Sequence, residues 1–159
     1  MIRTGIGQDS HKFQKNKALV LGGTRIQEFD GLGGNSDGDA IMHALCNALA
    51  GCVGKGSIGT YSDKMCLEHG ITDSREYLRT AYGFVKDKGY KVSNVSVAIE
   101  AKKPWLEKYF AAMKKEISGI LDISAEEVGI TVTSGEGLTS FGKGEGIQVI
   151  AIATIIKGE

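Results

Sequence analysis

The sequence predicts one α/β domain, a sandwich built on a mixed sheet, and three observations carry that prediction. Its 159 residues suffice for one well-filled core and leave little room for a second. Short apolar runs of strand character alternate with stretches of helical period. The last two strand candidates, at 128–133 and 147–156, follow one another without an intervening helix, which points away from a purely parallel sheet.

Composition narrows the function. Lys plus Arg number 19 and Asp plus Glu number 19, a formal net charge of zero. That balance gives no general positive field for nucleic acid or a membrane surface, leaves room only for a local basic patch, and points to a small-molecule partner. Cys46, Cys52 and Cys66 are odd in number and lack Cys-x-x-Cys spacing, so they read as reduced thiols of a cytoplasmic protein. The first residues lack an apolar signal core, and no apolar run approaches the roughly 20 residues that span a bilayer.

The chain opens on an apolar run around Ile2 to Gly7 that carries Asp9 and His11 at its end. Residues two apart on a strand share a side, so Asp9 and His11 can converge on one ion while Ser10 faces away. A second strand follows at Ala18 to Ile26, with Gly22-Gly23 as a bulge or turn and Leu19, Val20, Leu21 and Ile26 as sheet core. Gly31 to Gly34 make a flexible approach to Ser36, a natural N-cap. Asp37 and Asp39 suit the positive end of a helix starting there. Ile41, Leu45, Leu49 and Cys52 recur at helical spacing as its buried stripe, and His43 lies off that stripe.

Asp9, His11 and His43 offer one carboxylate and two imidazoles, a set that suits zinc with one coordination position open. Asp39 and His43 are four apart on one helix face, which would let the Asp39 carboxylate hold the second ring nitrogen of His43 as an outer partner. A capping acid and an ordinary surface histidine would give the same pattern, so these residues alone do not decide for a metal.

The segment from Gly54 to Thr72, rich in Gly, Ser and Asp, reads as a long loop, either a lid or binding loop or plain disorder. Thr72 or Asp73 caps a helix carrying Tyr77, Leu78, Ala81, Tyr82 and Val85, which Gly89 stops. Val92, Val95, Val97 and Ile99 make a third strand. Pro104 suits the first turn of a helix with Leu106, Phe110, Met113, Ile117 and Leu121 on one side. Lys102, Lys103 and Lys108 near its start read as a phosphate site or as a solvated face. Ser124 to Glu127 has capping-box spacing, and Val128 to Thr133 and Ile147 to Ile156 are the last strands. Between them lie glycine-rich turns whose amides can approach an anion, with Glu136 able to hold a hard divalent ion against phosphate oxygens.

Five motifs in order, Gly7-Gln8-Asp9-Ser10-His11, Ser36-Asp37-Gly38-Asp39 with His43, Gly56-Ser57-Ile58-Gly59, Asp73-Ser74-Arg75-Glu76 and Gly142-Lys143-Gly144-Glu145-Gly146, span nearly the whole chain. In them the sequence resembles the 2-C-methyl-D-erythritol 2,4-cyclodiphosphate synthase family. The resemblance implies one such domain over 1–159 with ferredoxin-like βαβ character and a sheet of about four strands. Helices would pack on one face of that sheet, and its other face would meet the interior of a homotrimer with active sites between subunits. It also implies a phosphorus–oxygen lyase of the non-mevalonate isoprenoid pathway, acting on 4-diphosphocytidyl-2-C-methyl-D-erythritol 2-phosphate. The 2-phosphate attacks the β-phosphate of the same molecule and releases CMP.

By the same resemblance, zinc falls to Asp9, His11 and His43, and magnesium or manganese to Glu136. Asn35 and Ser134 take catalytic positions, and Ser36 joins Ser134 in donating hydrogen bonds to phosphate. Ser57, Ile58, Gly59 and Asp63 fall on the erythritol. Ala101, Lys103, Pro104, Trp105, Leu106 and Thr133 fall on the cytidine end, while Lys143 lies near the trimer axis, where an isoprenoid diphosphate is the implied ligand.

Four positions depart from the family's commonest pattern: Asn35 for histidine, Ser57 for aspartate, Trp105 for lysine and Lys143 for arginine, with a shorter loop between Gly59 and Asp63. The first three swaps each remove a charge or potential charge. Asn35 and Ser57 keep hydrogen-bonding ability, whereas Trp105 cannot replace an ammonium and leaves that task to Lys102 or Lys103. This places the chain in a divergent branch. Two rival readings share the features: another zinc-dependent phosphate-transfer enzyme or hydrolase, and a non-catalytic trimer that binds nucleotide or isoprenoid diphosphate.

Overall fold

The computed structural model describes residues 1–158, the side chain of residue 28 excepted. Strand β1 (Ile2–Leu21) joins the two runs read from sequence, because its ends serve different partners. Ile2 to Lys12 pair antiparallel with β5 (Gly146–Lys157), and Phe13-Gln14 and Ala18 to Leu21 pair antiparallel with β2 (Thr24–Leu32). The polar middle of β1 hides this continuity, since the backbone ladders carry it as far as Gln14 and the register with β2 then shifts across Lys15, Asn16 and Lys17, with Asn16 at positive φ and its N–H on Asp30 Oδ1. Gly22 and Gly23 form the hairpin turn, both at positive φ as a two-residue connection of this hand requires.

Three helices follow: α1 (Ala40–Cys52), α2 (Gly59–Leu67) and α3 (Ser74–Asp87). α1 begins later than Ser36 suggests, because Asp39 is its N-cap and accepts from the Met42 N–H. Ile41, Leu45, Leu49 and Cys52 are buried as expected, but so is nearly every other residue of α1, since sheet and helices enclose it. α2 occupies part of the segment read as loop. Ser62 is its single buried residue among the described ones, with Tyr61, Met65 and Cys66 only partly covered, so little periodicity marks it. α3 starts at the Asp73 cap, and the left-handed Gly89 follows its end.

Strand β3 (Tyr90–Glu100) has its register shifted between Val92 and Asn94, which explains why Val92 and Val95 lie three apart yet are both buried. A parallel crossover through α4 (Phe110–Leu121) leads to β4 (Val128–Thr133), the one parallel neighbour in the sheet. Pro104 does not open α4. It follows a cis peptide in the preceding turn, and a short 3-10 turn at Glu107–Tyr109 leads into the helix. The capping box at Ser124 and Glu127 forms.

The strand order is β2-β1-β5-β3-β4, five strands where about four were expected, the extra one being the β2 arm of the hairpin. One sheet face is filled by Val95, Val97 and Ile99 of β3 with Ile147, Val149, Ala151, Ala153 and Ile155 of β5, packed under the helices. On the opposite face Ile2, Ile6, Ile150 and Ile152 stay 70, 68, 41 and 44% exposed. No helix of the described chain is long and apolar enough to cross a membrane.

Candidate active site

The alternation of β1 sets up the site. Gly5 and Gly7 are buried while Thr4, Ile6 and Gln8 are exposed, so the odd positions face the helices. A Cβ on Gly7 would lie 2.0 Å from the Ala44 carbonyl oxygen, and one on Gly5 2.1 Å from that of Ala48. The bare glycines therefore let α1 lie almost on the backbone of β1. Asp9 and His11 continue the same side just beyond this contact, where β1 is about to leave β5 for β2. His43, on the first turns of α1, is carried onto them.

The Asp9 Oδ2 lies 2.7 Å from His11 Nε2 and 3.1 Å from His43 Nδ1. The three candidate ligand atoms all lie within 4.8 Å of one another. Burial pushes the Asp9 carboxyl up, but hydrogen bonds and charge from both histidines outweigh it and hold the group below the usual carboxylate range. Its hydrogen bond to Asp9 raises the His11 pKa against the opposing effect of burial. One carboxylate oxygen and two imidazole nitrogens this close together, with His43 held through its other ring nitrogen, fit a zinc ion with a position left open.

Asp39 does not serve His43. It is fully buried, and its Oδ1 accepts from Gly22 and Met42 N–H groups at 2.9 and 3.0 Å while its Oδ2 accepts from Gly23 N–H at 2.7 Å. Burial and the nearby Asp37 charge raise its pKa to about 6 against those hydrogen bonds. Asp39 thus ties the β1–β2 turn to the start of α1. The other ring nitrogen of His43 instead meets Ser74 Oγ at 2.7 Å, with Ser36 Oγ more distant at 3.4 Å.

A cavity of about 220 Å³ opens over the triad, with Asn35, Ser36, Ile58, Gly59 and Asp63 on its walls beside Cys66 and Tyr77. Ser57 stands at its edge, exposed, its carbonyl accepting from Thr60. A larger hollow of about 730 Å³, between Lys17, Arg25 and Phe29, lies along the hairpin and contains none of the three candidate ligands.

The remaining candidate residues gather elsewhere in the chain. The Ala101 N–H donates to the Thr133 carbonyl at 3.0 Å, tying the ends of β3 and β4. Ala101 and Leu106 are buried, whereas Lys103, Pro104 and Trp105 border a hollow of about 370 Å³ with Phe29 and Tyr109. Trp105 is 75% exposed. Ser134 and Glu136 are exposed in the turn after β4, where Ser134 Oγ donates to Glu136 Oε1 at 3.3 Å. Lys143 is exposed before β5. One copy of the chain therefore presents two separate groups of candidate residues. Sequence reasoning gave no role to Ser74 and only a place at the start of α1 to Asp37, although both lie in quoted motifs, because nothing in their spacing reveals a partner more than 30 residues away.

Comparison with known proteins agrees with this geometry. The YgbB family model matches residues 2–156. A 2-C-methyl-D-erythritol 2,4-cyclodiphosphate synthase of Chlamydia trachomatis is 40% identical over 158 residues, covering 98% of this chain and 88% of the relative. Among solved structures, the bifunctional IspDF of Campylobacter jejuni superposes with a TM-score of 0.91 at 32% identity, covering 98% of this chain, which spans 42% of that longer protein. IspF of Plasmodium falciparum in complex with CDP gives 0.86 at 28% identity, covering 99% of this chain and 97% of its own. Matched from residue 2 to residue 156 and closely related over almost its full length to a named synthase, this chain belongs to the YgbB family, that of the 2-C-methyl-D-erythritol 2,4-cyclodiphosphate synthases.

Proposed function

We propose that this chain converts 4-diphosphocytidyl-2-C-methyl-D-erythritol 2-phosphate to the 2,4-cyclodiphosphate and CMP, in the non-mevalonate route to isoprenoid precursors. The observation that carries the reading is the convergence of Asp9, His11 and His43 beneath a polar-lipped cavity, in a chain so similar to named synthases. An oxygen of the 2-phosphate bonds to the β-phosphorus, the bond from that phosphorus to the bridging oxygen breaks, and CMP leaves with the electron pair. Nucleophile and electrophile share one molecule, so the protein's task is to fold the substrate and neutralise its charge.

Asp9, His11 and His43 would hold zinc, and Glu136 magnesium or manganese; when bound, these ions supply Lewis-acid neutralisation of phosphate oxygens. Ser36 and Ser134 would donate hydrogen bonds to the phosphates, with Asn35 beside them. Asp63 and the backbone of Ile58 and Gly59 would grip the erythritol, with Ser57 at its rim. Ala101 to Leu106 and Thr133 would receive the cytidine.

The two groups of candidate residues are best used if each site is shared between copies of the chain. The open sheet face with Ile2, Ile6, Ile150 and Ile152 supports a homotrimer, since exposed isoleucines on one sheet face are costly in water. Lys143 would then supply charge for an isoprenoid diphosphate on the axis. The three free cysteines suit a reducing cytoplasm.

The test is incubation of the purified chain with the diphosphocytidyl substrate, zinc and magnesium, followed by phosphorus NMR. The cyclic diphosphate with stoichiometric CMP is expected. A linear hydrolysis product, or binding without turnover, would overturn the reading.

A further inference from the structure

The outer nitrogen of His43 meets a chain of two groups. Ser74 Oγ lies 2.7 Å from His43 Nε2 and 2.5 Å from Asp37 Oδ1, while the Ser74 backbone N–H donates to Asp37 Oδ2 at 3.0 Å. Ser74 is fully buried at the first position of α3. We propose that Ser74, backed by Asp37, is a positioning residue that fixes His43 in the tautomer whose bare Nδ1 faces the metal position. The proposal rests on the reading of Asp9, His11 and His43 as zinc ligands.

Proton accounting supports it. A carboxylate only accepts, so the short contact commits the Ser74 hydroxyl proton to Asp37. What Ser74 then offers His43 is a lone pair, and Nε2 must carry the hydrogen. In a neutral imidazole this leaves Nδ1 unprotonated, the state a metal ligand needs. The relay has something to oppose: Asp9 Oδ2, 3.1 Å from Nδ1, is an acceptor that by itself favours a proton there. Ser36 Oγ competes weakly, being 3.4 Å from Nε2 and already accepting from the Gly38 N–H at 3.2 Å.

The same arrangement explains why a residue of α3 belongs to a site built on β1 and α1. Asp37 sits before α1 and Ser74 starts α3, so their hydrogen bonds join both helix starts behind the His43 ring. Ser74→Ala removes the hydroxyl alone, since the backbone hydrogen bond from residue 74 to Asp37 remains.

The experiment uses the full chain labelled with nitrogen-15 in histidine. Imidazole nitrogen shifts of the metal-free protein read the tautomer, and competition with a chromophoric chelator reads zinc affinity. In the unsubstituted chain His43 should show a protonated Nε2 and a bare Nδ1. Ser74→Ala should move the proton to Nδ1 and weaken zinc binding about 10–100-fold, the usual effect of losing an outer-shell partner. Asp37→Asn, with Ser74 intact, should shift the tautomer in the same direction, because an amide no longer fixes the hydroxyl proton. An unchanged tautomer in Ser74→Ala overturns the proposal, whether zinc affinity is kept or lost. If the unsubstituted chain binds no zinc, the metal reading fails, and the tautomer shifts still decide whether Ser74 sets the ring.

Discussion

His11 Nε2 lies 2.7 Å from Asp9 Oδ2, across a single intervening residue of β1. An acid and a base so close on one strand, both partly buried, stabilise each other only while the acid is ionised and the imidazole charged. His11, raised above its ordinary 6.5, contributes stability that is fully present below that pH and lost as pH rises through its folded value. Asp9, lowered from 3.8, contributes stability present above that pH and lost as it falls through its folded value. Metal-free protein should thus gain most from the pair between these two limits. Urea unfolding across pH 3 to 9 in chelator would check it, and a flat contribution in the His11→Ala difference curve would count against it.

Gly7→Ala tests how α1 is seated. The added Cβ would fall 2.0 Å from the Ala44 carbonyl, beside His43 in sequence, and backbone cannot yield as a side chain can. A loss of about 3 kcal/mol is expected from overpacking, with weakened zinc binding as α1 lifts from β1. Denaturant titration with zinc analysis of the same sample would check both.

Asp39→Ala should cost about 2–4 kcal/mol, by removing the α1 cap and leaving the Gly22 and Gly23 amides without their partner. With its pKa raised from 3.8 to about 6, the native group also makes stability fall as pH rises through that interval, since the folded chain holds the proton longer. Asp39→Asn should lose that slope. An Asn variant with the native slope between pH 4 and 6.5 would move the titration to another group.

Glu136→Gln should lower turnover at limiting magnesium while leaving zinc content unchanged, because the exposed Glu136 lies outside the Asp9 cluster. Excess magnesium should restore much of the rate if geometry is intact. Equal rates at limiting magnesium would remove Glu136 from the metal ligands, and parallel loss of zinc would merge the two sites.

The sequence alone determined the features that arise from short-range order. Alternation put Asp9 and His11 on one side of a strand, period marked α1, α3 and α4, and turn chemistry placed Gly22-Gly23 and the Ser124 capping box. Family motifs carried the activity. Tertiary structure decided the features that depend on residues distant in sequence. The i,i+4 spacing made Asp39 the natural partner of His43, yet a buried carboxylate goes where unpaired backbone N–H groups need it, and the Gly22-Gly23 turn supplied them. His43 was left to Ser74, whose hydroxyl proton is held by Asp37. α2 escaped notice because Ser62 is the single buried one of its described residues and Tyr61, Met65 and Cys66 are only partly covered, so no apolar stripe marks it. The continuity of β1 was hidden for a related reason: a ladder of backbone hydrogen bonds needs no apolar side chains, and which strand lies alongside is settled only when the chain has folded.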